Sequence, residues 1–332
     1  MTQKTALIIG ANGQDASYLA ELLISKNYKV VGTVRRNSVP ESQTTRIEHL
    51  FKDNLIQLKY MDLTDPLSVE SVISDAKADE IYHIGAQSHV QISFELPKYT
   101  LDVNAGGTLS VLEAVRKFSN HSKVYHAATS EMFGNSCDSD GFQRETTPLV
   151  PVSPYGCSKL YAHSLCHNYR NAYNMFICSG ILFNHESPRR GINFVTNKVV
   201  LEAVRIKLGK SKKLILGNFD AARDWGHSKD FVESMWLMLQ QEKSDDYVIA
   251  TGVTNTVGDL VDYVFEKLKL DRTKYVFSDD KFKRPEELHY LKGDASKART
   301  TLGWAPTYTF ESMLDEMVDY WMDFYKTNPN AR

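Results

Sequence analysis

The stretch LIIGANGQDASYL (7–19) constrains the fold more than any other part of the chain. A short apolar run, TALIIG (5–10), ends on a glycine. A polar turn carrying Gly10 and Gly13 follows, and SYLAELLISKN (17–27) then places Leu19, Leu22 and Leu23 at helical spacing. Strand, glycine turn and helix in that order aim backbone N–H groups and the positive end of a helix at a phosphate. Gly10 permits the tight turn and Gly13 the close approach of a ligand, while the third position needs only a small side chain, which Ala16 supplies. Two glycines alone also fit an ordinary turn; the flanking strand and helix favour the phosphate loop.

The alternation continues. YKVVGTVRR (28–36), LIQLKYMDL (55–63), EIYHIGA (80–86) and KVYHAATS (123–130) read as buried strands, with helical LSVESVISDA (67–76) and TLDVNAGGTLSVLEAVRKF (100–118) between them. Strands alternating with helices through mostly short loops imply parallel pairing with right-handed crossovers. The expected fold is α/β, a Rossmann-like doubly wound parallel sheet that binds ligands at the carboxyl ends of its strands. From about residue 180 the pattern loosens. NHESPRRG (184–191) reads as a polar loop and KLILGN (213–218) as a short strand. Segments 195–209, 231–242, 256–270 and 311–326 read as helices. The expected division is a cofactor-binding Rossmann domain over 1–180 and a smaller C-terminal α/β substrate-binding region over 181–332, interleaved because functional motifs fall on both sides.

With 332 residues the chain exceeds what one core usually holds. Its 39 basic and 41 acidic residues leave a net charge of −2, without the basic excess of a nucleic-acid binder. No apolar run approaches the ~20 residues of a membrane span. The first strand starts too close to residue 1 to leave room for a leader peptide, so a cytoplasmic protein is expected. Cys137, Cys157, Cys166 and Cys178 form no CxxC pair and read as reduced thiols. His163 and His167, four apart on one helix, have a spacing that can hold zinc, but no third ligand accompanies them and no metal is expected.

The second strand ends in Arg35 and Arg36. An acid there would hold the ribose 2′-hydroxyl of NAD, whereas arginine accommodates the 2′-phosphate of NADP, so NADP is expected. Asp62 and Leu63, ending the third strand, are placed to meet an adenine; a capping role for Asp62 is equally open. Tyr155 and Lys159 in SPYGCSK are one helical turn apart, with Pro154 suited to the first turn. An ammonium beside a phenol lowers its pKa from ~10, so that Tyr155 can exchange a proton with a substrate hydroxyl while hydride moves to or from nicotinamide. Upstream, the fifth strand ends in Thr129, Ser130 and Glu131. Thr129 can bond the hydroxyl or the phenol. A carboxylate at Glu131 suggests a second proton transfer, from a C–H acidified by a neighbouring ketone. Arg189, Arg190 and Arg223 fall in segments read as polar loops, where arginines suit a diphosphate.

These motifs, with NHESPRRG, LGNFDAARDWGHSKDFV, AQSHVQISFELPKYTLDVNAGGTL, TSEMFG, RPEE and KARTTLGWAP, resemble the extended short-chain dehydrogenase/reductases and, within them, the GDP-mannose 4,6-dehydratases. The resemblance covers nearly the whole chain, and NHESPRRG and RDWGHSKD are far more specific than a Tyr–Lys pair. It implies a tightly held NADP cradled by Gly10, Asn12, Gly13, Gln14 and Asp15, with its 2′-phosphate on Arg35 and Arg36 and its adenine by Asp62 and Leu63. Ile84, Gly85, Ala86, Gln87, Ser88, Tyr99, Lys159, His185 and Arg190 would line the cofactor. Thr129, Glu131, Tyr155 and Lys159 match the catalytic set; Ser88, Asn184, Lys198, Arg223, Arg284 and Glu287 fall in segments resembling the GDP-sugar site.

Four departures stand out: Ala16 where glycine is usual, Gly85 where alanine is usual, GCSK in place of AVAK after the helix tyrosine, and an unusual loop over 135–152. The reaction implied is loss of water from GDP-mannose, giving a 4-keto-6-deoxy sugar, with hydride passing from C4 to NADP and back to C6. Alternatives are the same reaction on GDP-N-acetylglucosamine or a GDP-manno-heptose, a nucleotide-sugar epimerase or reductase, and a non-catalytic NADP-binding scaffold. The resemblance also implies a homodimer or homotetramer.

Overall fold

A computed structural model describes residues 3–36, 45–279 and 286–331. Twelve strands are present among them: β1 (Thr5–Ile9), β2 (Lys29–Val34), β3 (Ile56–Tyr60), β4 (Glu80–His83), β5 (Lys123–Thr129), β6 (Ile177–Leu182), β7 (Asn184–Glu186), β8 (Leu214–Leu216), β9 (Ala222–His227), β10 (Asp246–Ile249), β11 (Thr254–Thr256) and β12 (Val276–Ser278). Seven form one sheet in the order β10-β6-β5-β4-β1-β2-β3, with every pairing parallel. β1 is apolar from Ala6 to Ile9 because both faces are covered: Ala6 and Ile8 enter one core and Leu7 and Ile9 the other.

The order runs outward in both directions from β1 and β4, so the chain's switch point lies between these two strands, where an open α/β sheet binds ligand. Gly10 has φ +89°, and a Cβ built on it would stand 2.7 Å from the Gly85 Cα. The backbones of the two crossover loops therefore meet at a distance that only glycine allows.

The expected strand ends at residues 36, 63, 86 and 130 fall earlier, at Val34, Tyr60, His83 and Thr129, because the residues beyond turn off the sheet. The first helix runs Gln14–Ser25, three residues earlier than expected. Gly13 is its extended N-cap and contributes no capping side chain, so the first turn is the glycine loop itself. The expected helix over 100–118 is a helix Pro97–Leu101, a π-helical turn Asp102–Gly106 and a helix Gly107–Phe118. RDWGH was expected in a polar loop and is instead in β9, buried. Its Asp224 carboxylate accepts from the Thr251, Gly252 and Gly293 amides at 2.9, 2.8 and 3.4 Å, which satisfies a charge inside a strand.

Past β6 the chain builds two small sheets, β11-β9-β7 and β12-β8, and a second core around Val199, Val204, Leu260, Val264, Met313 and Met317. β10, from residues 246–249, returns to the large sheet beside β6. The cleft lies between the carboxyl edge of the large sheet and this second core.

Candidate active site

β5 delivers Thr129 to the sheet's carboxyl edge, and the 3-10 turn Ser130–Met132 carries Glu131 immediately beyond it. The Glu131 amide donates to Thr129 Oγ1 at 3.3 Å, which fixes the turn. The helix Pro154–Tyr173 starts alongside. Ser153 Oγ caps it by accepting from the Gly156 amide at 3.0 Å, and Pro154 occupies the first turn. A Cβ on Gly156 would lie 2.8 Å from the Glu131 carbonyl oxygen and 2.8 Å from the Pro151 Cβ, so the helix and the Glu131 turn are packed backbone to backbone.

Tyr155 and Lys159 are both buried. Burial pushes the Tyr155 phenol up to about 12; a Thr129 hydrogen bond pulls against it and the Glu131 charge adds to it. Lys159 Nζ donates to the Ala127 carbonyl at 2.8 Å, and burial brings its ammonium down to about 8. The sequence expectation was a phenol lowered by Lys159. In this structure desolvation dominates and raises it, and the groups that pull against burial are Thr129 and Arg190.

These groups face a cleft of about 550 Å³, enough for a nucleotide-sized ligand. Its walls include Gly10, Asn12, Gly13, Gln14, Asp15, Ile84, Gly85, Ala86, Ser88, Thr129, Glu131, Tyr155, Lys159, Asn184, His185, Arg190, Lys198, Arg223 and Glu287. The phosphate-loop end, the Tyr–Lys–Glu group and the second core thus share one cavity. The first helix, uncapped by a side chain, presents its N-terminus to this cavity.

The sequence profile of the GDP-mannose 4,6 dehydratase family matches residues 7–317. The chain belongs to the GDP-mannose 4,6-dehydratase family. It is 50% identical over 327 residues to GDP-mannose 4,6 dehydratase 2 of Arabidopsis thaliana, covering 96% of this chain and 86% of that one. It is 46% identical over 354 residues to GDP-mannose 4,6 dehydratase of Homo sapiens, covering 99% and 94%. A dTDP-glucose 4,6-dehydratase from Bacillus anthracis, solved in complex with NAD, has a similar fold, with TM-score 0.83 and 23% identity over 97% of this chain and 98% of that one.

In this family member His185 and Asp15 couple the two halves of the site. His185 Nε2 lies 2.8 Å from Asp15 Oδ2, and its Nδ1 lies 2.7 Å from the Phe183 carbonyl. Burial opposes both charges, yet each favours the other: Asp15 is lowered and His185 raised. Gln14 reaches the same segment, donating to the His185 carbonyl at 3.1 Å and accepting from Ser187 Oγ at 2.8 Å. Arg190 pairs with buried Glu186 at 3.0 Å and lies over the Phe194 ring at 3.6 Å.

Other expected residues fall outside the cleft walls. Arg35 hydrogen-bonds the Tyr99 hydroxyl, so these two are brought together, outside the cleft walls. Asp62 Oδ1 accepts from the Thr64 amide and hydroxyl at 2.9 and 2.8 Å, a turn-fixing role. Leu63 packs against Gly85 and Gly107. Gln87 is used as a brace: Asn104, on the π-helical turn, exchanges hydrogen bonds with its backbone at 2.8 and 3.0 Å and also donates to Ser158 Oγ. Arg189 turns away to Ser17, Glu21 and the Tyr18 ring. Arg284 lies outside the described residues.

Two residues escaped the sequence reading. Arg46 donates to the Asn12 carbonyl of the glycine loop at 3.2 Å and to the Arg189 carbonyl at 2.7 Å. Asn104 sits inside a segment read as uniform helix, and only the π-helical turn turns it toward Gln87. Among the described residues no three His, Cys, Asp or Glu side chains gather as a metal site needs, and no helix is long and apolar enough to cross a membrane.

Proposed function

We propose that the chain is a GDP-mannose 4,6-dehydratase, a hydro-lyase that keeps NADP bound through each turnover and works as a homodimer or homotetramer in the cytoplasm. The observation that carries this reading is the grouping of Glu131 with Tyr155, Lys159 and Thr129 in one cleft. An epimerase or reductase needs the phenol and the ammonium but has no use for a carboxylate beside them.

The glycine loop and the uncapped helix N-terminus suit a pyrophosphate, since a Cβ at Gly10 would fill the close approach to Gly85. Arg35 and Arg36, with no acid beside them, favour NADP over NAD. When bound, NADP would supply the hydride acceptor for C4 and the hydride donor for C6. Tyr155 takes the O4 proton, helped by Lys159 and Thr129. The C4 ketone acidifies C5–H, and Glu131 removes that proton and passes it to the departing C6 hydroxyl. Lys198, Arg223 and Glu287 at the far end of the cleft would hold the GDP portion.

The test is mass spectrometry of products from GDP-mannose, GDP-N-acetylglucosamine and a GDP-manno-heptose. Loss of one water from GDP-mannose alone is expected. Water loss from another member instead would reassign the sugar, and an epimer without water loss would overturn the dehydratase reading.

A further inference from the structure

Tyr155 is gripped at both ends of its backbone by side chains from elsewhere. It is the second residue of its helix, where an amide has no partner within the helix itself. Pro154 has no amide to satisfy, and Ser153 Oγ takes the amide of Gly156. The Tyr155 amide donates instead to Ser93 Oγ at 3.2 Å, 62 residues earlier in the chain. The Ser93 hydroxyl donates in turn to the Val90 carbonyl at 2.6 Å. At the other end, the Tyr155 carbonyl accepts from Ser158 Oγ at 2.8 Å, and Ser158 Oγ accepts from Asn104 Nδ2 at 3.0 Å.

Both chains of hydrogen bonds lead to one stretch of the cleft wall. Asn104 clasps the Gln87 amide and carbonyl at 2.8 and 3.0 Å, so both donors and the oxygen of its side chain are used. The Gln87 side chain is folded back as well: its Oε1 accepts from the His89 amide at 2.6 Å and its Nε2 donates to Thr100 Oγ1 at 3.0 Å. Gln87 thus faces away from the cleft, while its neighbours Ala86 and Ser88, with Val90 and Gln91 just beyond, line it. One chain of bonds ends on Gln87 and the other on Val90.

The linking side chains are costly places for polarity unless every bond is made. Ser93, Asn104 and Ser158 are all 2% exposed or less. A buried polar network with its bonds satisfied adds little net stability but specifies one geometry. Asn104 stands in the π-helical turn Asp102–Gly106, whose carbonyl at Asn104 is braced by Thr108 Oγ1 at 2.6 Å. Such turns are frequent at functional sites. With its N–H and C=O both pinned, Tyr155 has its Cα–Cβ direction set relative to residues 86–91. Gly156 sets the other side of the same helix start against the Glu131 turn.

We propose that Ser93 and Ser158 are positioning residues for Tyr155, which hold the phenol at a fixed reach from the wall on which sugar and cofactor rest. The step they serve is oxidation at C4, in which the O4 proton passes to Tyr155 as the C4 hydride leaves. Removal of either hydroxyl frees one end of the Tyr155 backbone and leaves the Glu131 turn and the cofactor loop untouched. The C4 step therefore slows while binding and the C5 step do not.

The inference rests on the dehydratase reading, and the test separates the two. Holoenzyme of the parent chain, Ser93→Ala and Ser158→Ala is assayed with GDP-mannose, unlabelled and deuterated at C4 or at C5, and the NADP bound per chain is counted. Each variant should lose at least about fivefold in kcat, since a displacement of about 1 Å can cost 10²-fold, and keep KM within about twofold with the NADP count unchanged. Its remaining turnover should carry a C4 deuterium effect and none from C5, because only the step that uses the phenol is slowed. A merely structural role would lower kcat and the NADP count together, and that outcome overturns the proposal. So does a kcat equal to the parent's, or a slowed turnover whose C4 effect is absent or matched by one from C5. Ser158→Ala decides the matter alone if Ser93→Ala fails to fold, since alanine is the best helix former. A parent protein that releases no water from GDP-mannose overturns the dehydratase reading, and the proposal with it.

Discussion

Lys159 Nζ donates to the Ala127 carbonyl at 2.8 Å from a site where burial has brought its ammonium from 10.5 down to about 8. One carbonyl replaces a full hydration shell poorly, so the charge is held there against stability. The folded chain binds this proton less tightly than the unfolded chain. The penalty is therefore complete below pH 8, shrinks as pH rises from about 8 to 10.5, and vanishes above that. At roughly 1.4 kcal/mol per unit the full penalty is about 3 kcal/mol. Lys159→Met should stabilise the fold by roughly 1–3 kcal/mol at pH 7 and by clearly less at pH 10, while abolishing turnover. Urea unfolding at the two pH values checks this; a destabilised or pH-independent difference would count against it.

The His185–Asp15 pair predicts the opposite slope on its basic side. His185 is raised, so its contribution is complete below the ordinary imidazole value of 6.5 and is lost as pH rises through the higher folded value. Asp15 is lowered, so its share is complete above 3.8 and is lost as pH falls through the lower folded value. His185→Gln, which leaves a buried carboxylate without its cation, should cost on the order of 3 kcal/mol in the window between those limits. The deficit should narrow at alkaline pH, where the parent histidine is also neutral. Thermal unfolding of both proteins from pH 5 to 9 measures the window, and a constant difference would remove the charge from the account.

Arg35 and Arg36 are predicted to set cofactor choice. Arg35→Ala with Arg36→Ala should weaken NADP by roughly 10²-fold, about two charge-assisted hydrogen bonds at 1.5 kcal/mol each, and leave NAD nearly unchanged. Fluorescence titration of both nucleotides gives the ratio. Equal losses would show that the pair serves the loop and not a 2′-phosphate.

What the sequence revealed was what local order controls. β1 reads as a buried strand because its side chains from Ala6 to Ile9 enter one or other of two cores, and Gly10 reads as a turn because the chain must pass Gly85 there. Tyr155 and Lys159 announce themselves by one helical turn, and Thr129 and Glu131 by adjacency at a strand end. The rest depends on partners distant in the chain. RDWGH is polar enough to suggest a loop, and is a strand only because amides from Thr251, Gly252 and Gly293 converge on Asp224. Arg46 carries no motif, since its role is a carbonyl on the glycine loop. The phenol of Tyr155 rises because it is buried, and burial is not a property of spacing.

Glu131→Gln should separate proton transfer from binding. Glutamine keeps the size and one carbonyl of the buried side chain but cannot take the C5 proton. Dehydration should fall by roughly 10²–10⁴-fold, the usual contribution of a positioned base, with cofactor affinity within about twofold. Exchange of the C5 hydrogen with deuterated solvent, followed by mass spectrometry, should fall in step. A variant that forms product near the parent rate would place the base elsewhere.

Gly156 is predicted to be required at the start of its helix. By helix propensity alone, Gly156→Ala should gain up to about 1 kcal/mol. The new Cβ would stand 2.8 Å from the Glu131 carbonyl oxygen, which is backbone and cannot swing aside, and 2.8 Å from the Pro151 Cβ. Overpacking of this kind costs about 1–3 kcal/mol, so the clash should win. Relief by shifting the Ser130–Met132 turn would carry Glu131 away from the sugar, and a displacement of about 1 Å can cost 10²-fold in rate. The expected result is a small loss of stability with a drop in kcat of tenfold or more and little change in KM. Pairing the substitution with Pro151→Gly, which removes the Cβ that forms the other half of the contact, should restore part of kcat; a double variant no better than the single one would mean that the Glu131 carbonyl alone sets the limit.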